Sequence, residues 1–464
     1  MAEDNAAEGL ALDEFAPRVR GPILTPGTPE YETARHGWNA RFDRRPGGIV
    51  QCLGVADVMA TVDFAREEGL PLAVRGGGHD FAGYSTIEGG LLLDLSPMKG
   101  IQVDPSARVA SVQPGVLGGE LDHETQAFGL ATTSGTVSTV GVAGYTLGGG
   151  TGYLARKHGL AVDNFIGADV VTADGALVRA NENENPDLFW ALRGGGGNFG
   201  VVTSFQRQLH PVGPEVMAGQ VVYPLDQARD VLSFYRSYME TAPEEATVYP
   251  FFLRLPPIDA IPEELHGEPG LIMVMVHVGP VETGQSELQP LLEVGDPVLP
   301  AVQPMPYLAA QQMFDAGMPK GNRRLSRAQY VDQISDAAID TVVEWAGRLE
   351  GPFTAAYFEP MGGAINRVAP GDTAFPHRDK AYSFHLVADW TDPSADEAIT
   401  EWAQGFHEAI ADYASGGVYV NLMSEDEGDR TAQAFQENYP RLARIKARYD
   451  PGNLFNRNQN VGPR

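Results

Sequence analysis

The sequence predicts a two-domain protein of the α+β class, and three observations support that prediction. The chain has 464 residues, more than the roughly 250–300 at which single hydrophobic cores stop growing and chains divide into domains. From residue 44 to about 212, short β-branched runs alternate with helix-like stretches. Beyond Pro214, proline-rich connectors separate longer strands from amphipathic helices, which is typical of an antiparallel sheet with helices on one face.

The strands predicted for the first half are short apolar runs that end at Gly, Asp or Pro. A helix-like stretch at residues 56–68 leads into the first of these strands at 70–75, and the others lie at 90–95, 107–112 and 168–172.

The elements predicted for the second half are longer. Strands are predicted at residues 271–278, 354–359, 381–388 and 417–422. Apolar residues at three- and four-residue spacing predict helices, and these lie at 225–240, 336–349, 394–414 and 430–449. Most of these helices begin near Asp, Ser or Thr, as expected for N-caps.

The composition argues against several classes of function. The 61 acidic and 33 basic residues give a net charge of −28, which repels nucleic acid and anionic membranes. Residues 1–17 contain neither a basic start nor a long apolar run, so we expect a cytoplasmic protein without a secretion signal. The single cysteine, Cys52, excludes an internal disulfide, and the histidines show no paired metal spacing, so no metal is expected.

Three glycine clusters predict a site for an anionic cofactor. They are Arg-Gly-Gly-Gly-His at residues 75–79, the stretch 141–152, and Gly-Gly-Gly-Gly-Asn-Phe-Gly at 194–200. Glycine lets main-chain N–H groups approach an anion closely, and a pyrophosphate group is the expected ligand. The third cluster has the spacing G-x-G-x-x-G, but a predicted helix precedes it and a strand follows it. That order is the reverse of a Rossmann fingerprint, and no Walker sequence occurs.

A glycine cluster on its own has a simpler explanation, since glycine runs commonly form tight turns between strands. Three clusters within one region favour a cofactor site instead. The first cluster also places the imidazole of His79 and the carboxylate of Asp80 directly after a predicted strand and a tight turn.

These segments resemble one known family along nearly the whole chain. The motifs at residues 75–79, 138–141, 148–150, 156–164, 185–190, 198–203 and 449–460 resemble those of FAD-linked oxidases of the vanillyl-alcohol oxidase superfamily, in the berberine bridge enzyme-like branch. The resemblance implies a PCMH-type FAD-binding fold with an antiparallel-sheet substrate domain. Its implied domains are 1–212 for FAD, 213–416 for substrate, and a C-terminal segment, 417–464, that returns to the FAD-binding domain.

The resemblance also implies how FAD is held. His79 would bond covalently to the methyl carbon of the isoalloxazine, which raises the flavin potential. Gly76, Gly77 and Gly78 would surround the pyrophosphate, Gly141, Gly144, Gly149 and Gly150 would line the ribityl chain and ring, and Gly200 and Val201 would meet the adenine. The other implied cofactor residues are Arg75, Asp80, Ser85, Thr139, Val140, Asn164 and Asn458. Some relatives add a second link through a cysteine, but Val137 stands at that position, so the link would be single.

A base near the flavin should take a proton as hydride leaves the substrate. The family often places this base in a Tyr-x-Asn-Tyr motif, and here Tyr419-Val-Asn-Leu keeps only the first tyrosine. Tyr419 is therefore the first candidate, followed by His385 and Glu359. Without the resemblance, each has a structural explanation, because strand tyrosines and lone histidines are usually packing residues. Tyr145 is expected to stabilise the reduced flavin anion.

The electron acceptor and the substrate stay open at this stage. In the family a small residue at Val140 accompanies reaction with oxygen, which favours an oxidase that acts on an alcohol, a sugar or a natural product and releases hydrogen peroxide. A dehydrogenase with another acceptor and a flavin-binding protein without turnover are the alternatives. The sequence does not specify an oligomeric state.

Overall fold

The computed structural model describes residues 10–351 and 353–464. The expectation of an amino terminus without a signal falls partly on residues 1–9, which lie outside the described residues. Within the described part, no helix is long and apolar enough to cross a membrane.

A small sheet contains the strand that precedes the first glycine cluster. Its strands lie in the spatial order Ile23–Leu24, Gly48–Gln51, Leu91–Asp94 and Leu72–Arg75, and the last three are parallel. Helix Val55–Glu67 connects two of them. At the carboxyl edge, buried Arg75 donates two hydrogen bonds to Asp94, at 3.2 and 2.9 Å, and this ion pair fixes the point where the glycine cluster begins.

A second, antiparallel sheet has five strands, in the order Ile101–Asp104, Val109–Val112, Val201–Gln208, Phe165–Val171 and Leu177–Ala180. The helices of this region are Gly118–Gln126, Val142–Leu147, Ala155–His158 and Pro186–Leu192, and a two-stranded ladder joins Leu130–Ala131 to His210–Pro211. The third glycine cluster lies between helix Pro186–Leu192 and strand Val201–Gln208, which confirms the predicted order of helix before strand.

The second half forms one antiparallel sheet of seven strands, here called the large sheet. Its spatial order is Leu299–Pro306, Glu215–Pro224, Pro269–His277, Ala246–Arg254, Ala355–Pro360, Tyr382–Trp390 and Arg323–Val331. The α+β class with an antiparallel sheet is therefore confirmed.

The two faces of the large sheet have different partners, because side chains alternate along a strand. One face packs against helices Ala228–Met239, Val281–Leu292, Asp336–Ala346 and Asp396–Ala411, through residues such as Phe358 and Phe384. The neighbouring positions Tyr357, Glu359 and His385 point to the opposite face, where a cleft lies. The remaining α-helices of the described residues lie at Leu12–Phe15, Pro29–Arg35, Tyr307–Gln311, Ala364–Arg367, Thr431–Phe435 and Tyr439–Tyr449.

Two predicted elements near the C-terminus are wrong. Residues 417–422 form no strand: Gly416 and Gly417 have positive φ, Tyr419 is extended, and Val420–Leu422 is a single 3₁₀ turn. Predicted helix 430–449 is two helices with a break at Gln436, where φ is 45°. Both segments pack in the core of the second sheet, so burial rather than strand pairing accounts for their apolar residues.

Candidate functional site

A cleft of about 370 Å³ lies between the glycine clusters and the large sheet. One wall comes from the three glycine clusters and the residues beside them, within residues 76–81, 135–147 and 196–202. The opposite wall consists of side chains of the large sheet, including Phe251, Tyr357 and His385. Of the predicted site residues, the lining contains Gly76, Gly77, Gly78, His79, Asp80, Ser85, Val140, Gly141, Gly144, Tyr145, Gly200, Val201, Glu359, His385, Tyr419 and Asn458.

The first two glycine clusters meet backbone to backbone at Gly77 and Gly141. A Cβ atom on Gly77 would lie 2.5 Å from the Cα of Gly141, and one on Gly141 would lie 2.6 Å from the nitrogen of Gly77. Gly78, with φ of 68°, turns the chain next to this contact. Only glycine permits this approach, which leaves main-chain N–H groups of the first loop close to the cleft.

The carboxylate of Asp80 holds the loop that follows. It accepts hydrogen bonds from the backbone N–H groups of Ala82, Tyr84 and Ser85 at 2.9, 3.2 and 2.8 Å. Asp80 therefore has a structural role after His79, since it holds the turn that presents Tyr84 and Ser85 to the cleft.

His79 lies against the indole of Trp38, with ring centroids 3.7 Å apart. Its Nε2 is buried and has no hydrogen-bond partner among the described residues. Burial, with a smaller contribution from the cation of Arg324, lowers the pKa of His79 to about 3. The ring is therefore neutral at physiological pH and has an unused nitrogen, as a residue that forms a bond to a cofactor requires.

Helix Val142–Leu147 brings Tyr145 to the cleft. The hydroxyl of Tyr145 donates a hydrogen bond of 2.7 Å to the carbonyl oxygen of Thr151, and burial raises the pKa of this phenol well above its usual value. Tyr145 is thus a neutral group whose proton is already engaged by the backbone.

Five predicted cofactor residues lie outside the cleft lining: Arg75, Thr139, Gly149, Gly150 and Asn164. Arg75 holds Asp94, and Thr139 is exposed. The amide of Asn164 donates to the carbonyl oxygens of His158 and Leu160, at 3.0 and 2.9 Å. Arg75 and Asn164 therefore support the loops around the cleft.

A buried acid–imidazole cluster occupies the sheet wall. Glu359 Oε1 accepts hydrogen bonds from Thr151 and Tyr249 at 2.9 and 3.1 Å, and its Oε2 lies 3.3 Å from His385 Nε2. The other ring nitrogen of His385 lies 2.8 Å from the hydroxyl of Tyr357. Cross-strand pairing of Tyr357 with His385 sets this arrangement, because directly opposed side chains share one face.

Burial shifts the pKa values of Glu359 and His385 so that their neutral forms are favoured. It raises the pKa of Glu359 to about 7, against the opposing effect of the hydrogen bonds from Thr151 and Tyr249, and it lowers the pKa of His385 to about 3. At neutral pH the imidazole is uncharged, and the carboxyl is close to its titration midpoint.

Tyr419 presents a phenolic oxygen that accepts two hydrogen bonds, from the backbone N–H of Gly150 at 2.9 Å and from Asn421 Nδ2 at 3.0 Å. Among the described residues, no acceptor for its own proton is within hydrogen-bond range. Burial and the nearby Glu359 raise the pKa of Tyr419, whereas the two donors lower it. The donors stabilise negative charge on this oxygen.

Sequence reasoning missed several residues of the cleft. Thr151 lies within the second glycine cluster, next to Gly150, and that position was an available signal. Trp38, Phe251 and Phe314 also line the cleft, and no motif marks them, because long-range packing brings each of them there. Arg457 lines the cleft as well and lies within the motif at residues 449–460.

Comparisons with known proteins point to flavin chemistry. A model for an FAD-binding domain matches residues 46–181, and one described as berberine and berberine-like matches residues 418–462. The chain is 30% identical over 455 residues to YgaK, an uncharacterized FAD-linked oxidoreductase of Bacillus subtilis, with 96% of this chain and 98% of the relative covered.

Two solved structures are similar over nearly their whole length. The structure of 6-hydroxy-D-nicotine oxidase from Arthrobacter nicotinovorans has a TM-score of 0.87 at 28% identity, with 96% of this chain and 98% of that chain covered. Xylooligosaccharide oxidase from Myceliophthora thermophila, in complex with xylobiose, has a TM-score of 0.85 at 26% identity, with 98% and 99% covered.

Proposed function

Because this chain belongs to the berberine bridge enzyme-like family of FAD-linked oxidoreductases, with its PCMH-type fold, we propose that FAD occupies the glycine-lined cleft and is bonded to His79. The observation that supports the bond is the buried, unpartnered Nε2 of a neutral imidazole. Intact mass spectrometry of the denatured wild-type chain, with His79→Ala beside it, tests this bond.

The chain's own groups fit the parts of the cofactor. Main-chain N–H groups at Gly76, Gly77 and Gly78 suit the pyrophosphate, because consecutive backbone donors form an anion-binding concavity. Gly141, Gly144 and Tyr145 line the part of the cleft assigned to the flavin ring, and Gly200, Val201 and Asn458 line its remaining wall. When bound, FAD supplies the two-electron acceptor.

Tyr419 is proposed as the base that takes the substrate proton. Its oxygen lines the cleft and is surrounded by N–H donors, an arrangement that favours the phenolate. Glu359 is proposed to set the pH at which Tyr419 can act, because burial raises the pKa of this carboxyl to about 7. Burial and Glu359 raise the pKa of Tyr419, so above about pH 7 the negative charge lies on Glu359, which is proposed to accept the proton that Tyr419 takes from the substrate.

The substrate is proposed to be a small organic molecule that carries a hydrogen-bonding group and a flat or apolar body. Phe251 stacks on Tyr357 with ring centroids 4.3 Å apart and contacts Phe314 at 4.6 Å. This aromatic wall suits either a sugar face or an aromatic ring, in line with the names of the two structural neighbours, a 6-hydroxy-D-nicotine oxidase and a xylooligosaccharide oxidase. His385 and Glu359 also line the cleft and would bind the hydrogen-bonding group of the substrate.

Dioxygen is the proposed electron acceptor, since the small side chain of Val140 lines the cleft and would leave room for oxygen beside a bound flavin. The experiment is anaerobic reduction of the flavin by substrate, followed by rapid mixing with oxygen. Reoxidation within seconds, with one hydrogen peroxide per flavin, is expected. Reoxidation that takes minutes would indicate a dehydrogenase.

A further inference from the structure

We propose that Trp38 and Arg324 are positioning residues for the bond between His79 and the flavin. The side chains of His79, Trp38 and Arg324 form a stack, here called the His79 stack. This inference rests on the proposed function, because it concerns how the single covalent link is made.

The geometry of the stack restrains the imidazole. The ring of His79 lies 3.7 Å from the centroid of Trp38 at an interplanar angle of 21°. The guanidinium carbon of Arg324 lies 3.8 Å from the same indole. Two groups this close to one ring centroid must occupy opposite faces, so the indole is held between them.

Hydrogen bonds to two backbone carbonyl oxygens hold Trp38 in this stack. The N–H of Trp38 donates to the carbonyl oxygen of Gly78 at 3.0 Å, one residue before His79. The indole N–H donates to the carbonyl oxygen of Met318 at 3.2 Å. Because these contacts come from both halves of the chain, the orientation of the imidazole depends on the assembled molecule.

Arg324 is itself held by a buried partner. Its Nε lies 2.6 Å from Asp389 Oδ2, and both side chains are fully buried. Asn39 adds a backbone clamp: it donates to the carbonyl oxygen of Arg324 and accepts from its N–H, each at 2.9 Å. The cation therefore stays over the indole, where cation–π attraction stabilises the stack.

The bond requires an uncharged imidazole that faces the flavin methyl carbon. A C–N bond forms, one methyl C–H bond and the imidazole N–H bond break, and the two protons and two electrons pass to the flavin. Dioxygen then reoxidises it to give hydrogen peroxide. The cation of Arg324 disfavours a second positive charge on His79 and lowers its pKa, so it helps to keep the nitrogen lone pair free.

The test measures covalent incorporation rather than turnover. Full-length Trp38→Leu, Trp38→Phe and the wild type are incubated with FAD, and the flavin that remains on the denatured chain is followed with time. The Leu variant should incorporate FAD at least about tenfold more slowly, because misplacing a reacting group by about 1 Å can cost about a hundredfold in rate. Trp38→Phe should restore most of the rate, since a flat ring suffices.

A matched control is available at Trp190. This indole is also buried, also stacks with an arginine, Arg441, at 3.8 Å, and also donates to a carbonyl oxygen, that of Gly371. Trp190 does not line the cleft. Trp190→Leu should therefore show wild-type incorporation despite a comparable loss of packing.

For Arg324, the double variant Arg324→Met/Asp389→Asn avoids a buried unpaired carboxylate and should slow incorporation severalfold, whereas Arg324→Lys should retain most of it. Wild-type rates in Trp38→Leu and in the double variant would overturn the inference. If the wild type holds no covalent flavin, the proposed function fails at His79 itself, and the two failures are thus distinguishable.

Discussion

At Glu359, one buried carboxyl group controls the charge on the side of the cleft formed by the large sheet. Its pKa is raised to about 7 by burial, so it ionises as the pH increases through neutrality. We expect the rate of flavin reduction by substrate to rise with pH through about 7 and then level off. In Glu359→Gln this step should disappear, because no proton remains to be lost there. Stopped-flow reduction between pH 5 and 9 measures it.

Tyr419→Phe tests the base directly. Removal of a general base should slow flavin reduction by about 10²–10⁴-fold, with little change in bound flavin. Tyr153→Phe is the matched control, because Tyr153 is a buried tyrosine whose hydroxyl has no partner among the described residues and which does not line the cleft. Equal rates in Tyr419→Phe and the control would exclude the proposed role.

At single residues, the sequence predicted those that belong to a compact motif. His79, the neighbouring glycines and Tyr419 all line the cleft, and each follows a recognisable local pattern. Trp38 and Arg324 have no such pattern. Trp38 is distant from His79 in the sequence, Arg324 is more than two hundred residues away, and the stack of the three depends on packing that local propensity does not encode.

Between elements, the contact of the first two glycine clusters should not tolerate a side chain. In Gly77→Ala the new methyl would collide with backbone of Gly141, so the loops must separate, at a cost of about 1–3 kcal/mol. We expect lower FAD content and a lower free energy of unfolding. Gly371→Ala is the control, because nothing lies within 4 Å of its Cβ position. Full FAD content in Gly77→Ala would contradict this account.

Helix Tyr439–Tyr449 is tied to the third glycine cluster through Lys446. Its buried ammonium donates to Asp450 at 2.6 Å and to the carbonyl oxygens of Asn198 and Phe455 at 2.7 and 2.9 Å. Lys446→Met should lower the free energy of unfolding by about 3–5 kcal/mol, because Asp450 would be left as a buried unpaired charge.

The control for that prediction is Lys99→Met. Lys99 pairs with Glu120 at 2.7 Å, but both side chains are exposed, at 38% and 45%, and such pairs contribute about 0–1 kcal/mol. Chemical denaturation of both variants gives the comparison. Equal losses would show that the ion pair in helix Tyr439–Tyr449 does not hold the C-terminal segment in place.

The elements with regular periodicity were predictable, and those without it were not. Strand Tyr382–Trp390 is continuous and fully buried, so its apolar run stood out in the sequence. Residues 417–422 have a similar composition but no partner strand, and they pack into the core of the second sheet instead. Composition shows that a segment is buried, whereas it does not show what the segment packs against.

In the whole molecule, the cleft exists only where the two halves meet. Its lining extends from Trp38 to Gln459, and the α+β layers that position it follow from strand and helix patterns. The predicted domain boundaries 1–212, 213–416 and 417–464 stay a prediction. The net charge of −28 is consistent with a small-molecule substrate rather than a polyanionic partner.

The measurement that tests this account most directly is the intact mass of the purified chain after denaturation, with His79→Ala beside it. We predict a wild-type chain heavier by one bound FAD and a variant chain at the mass of its sequence alone. A yellow native protein whose denatured wild-type chain shows only the mass of the polypeptide would contradict the bond at His79.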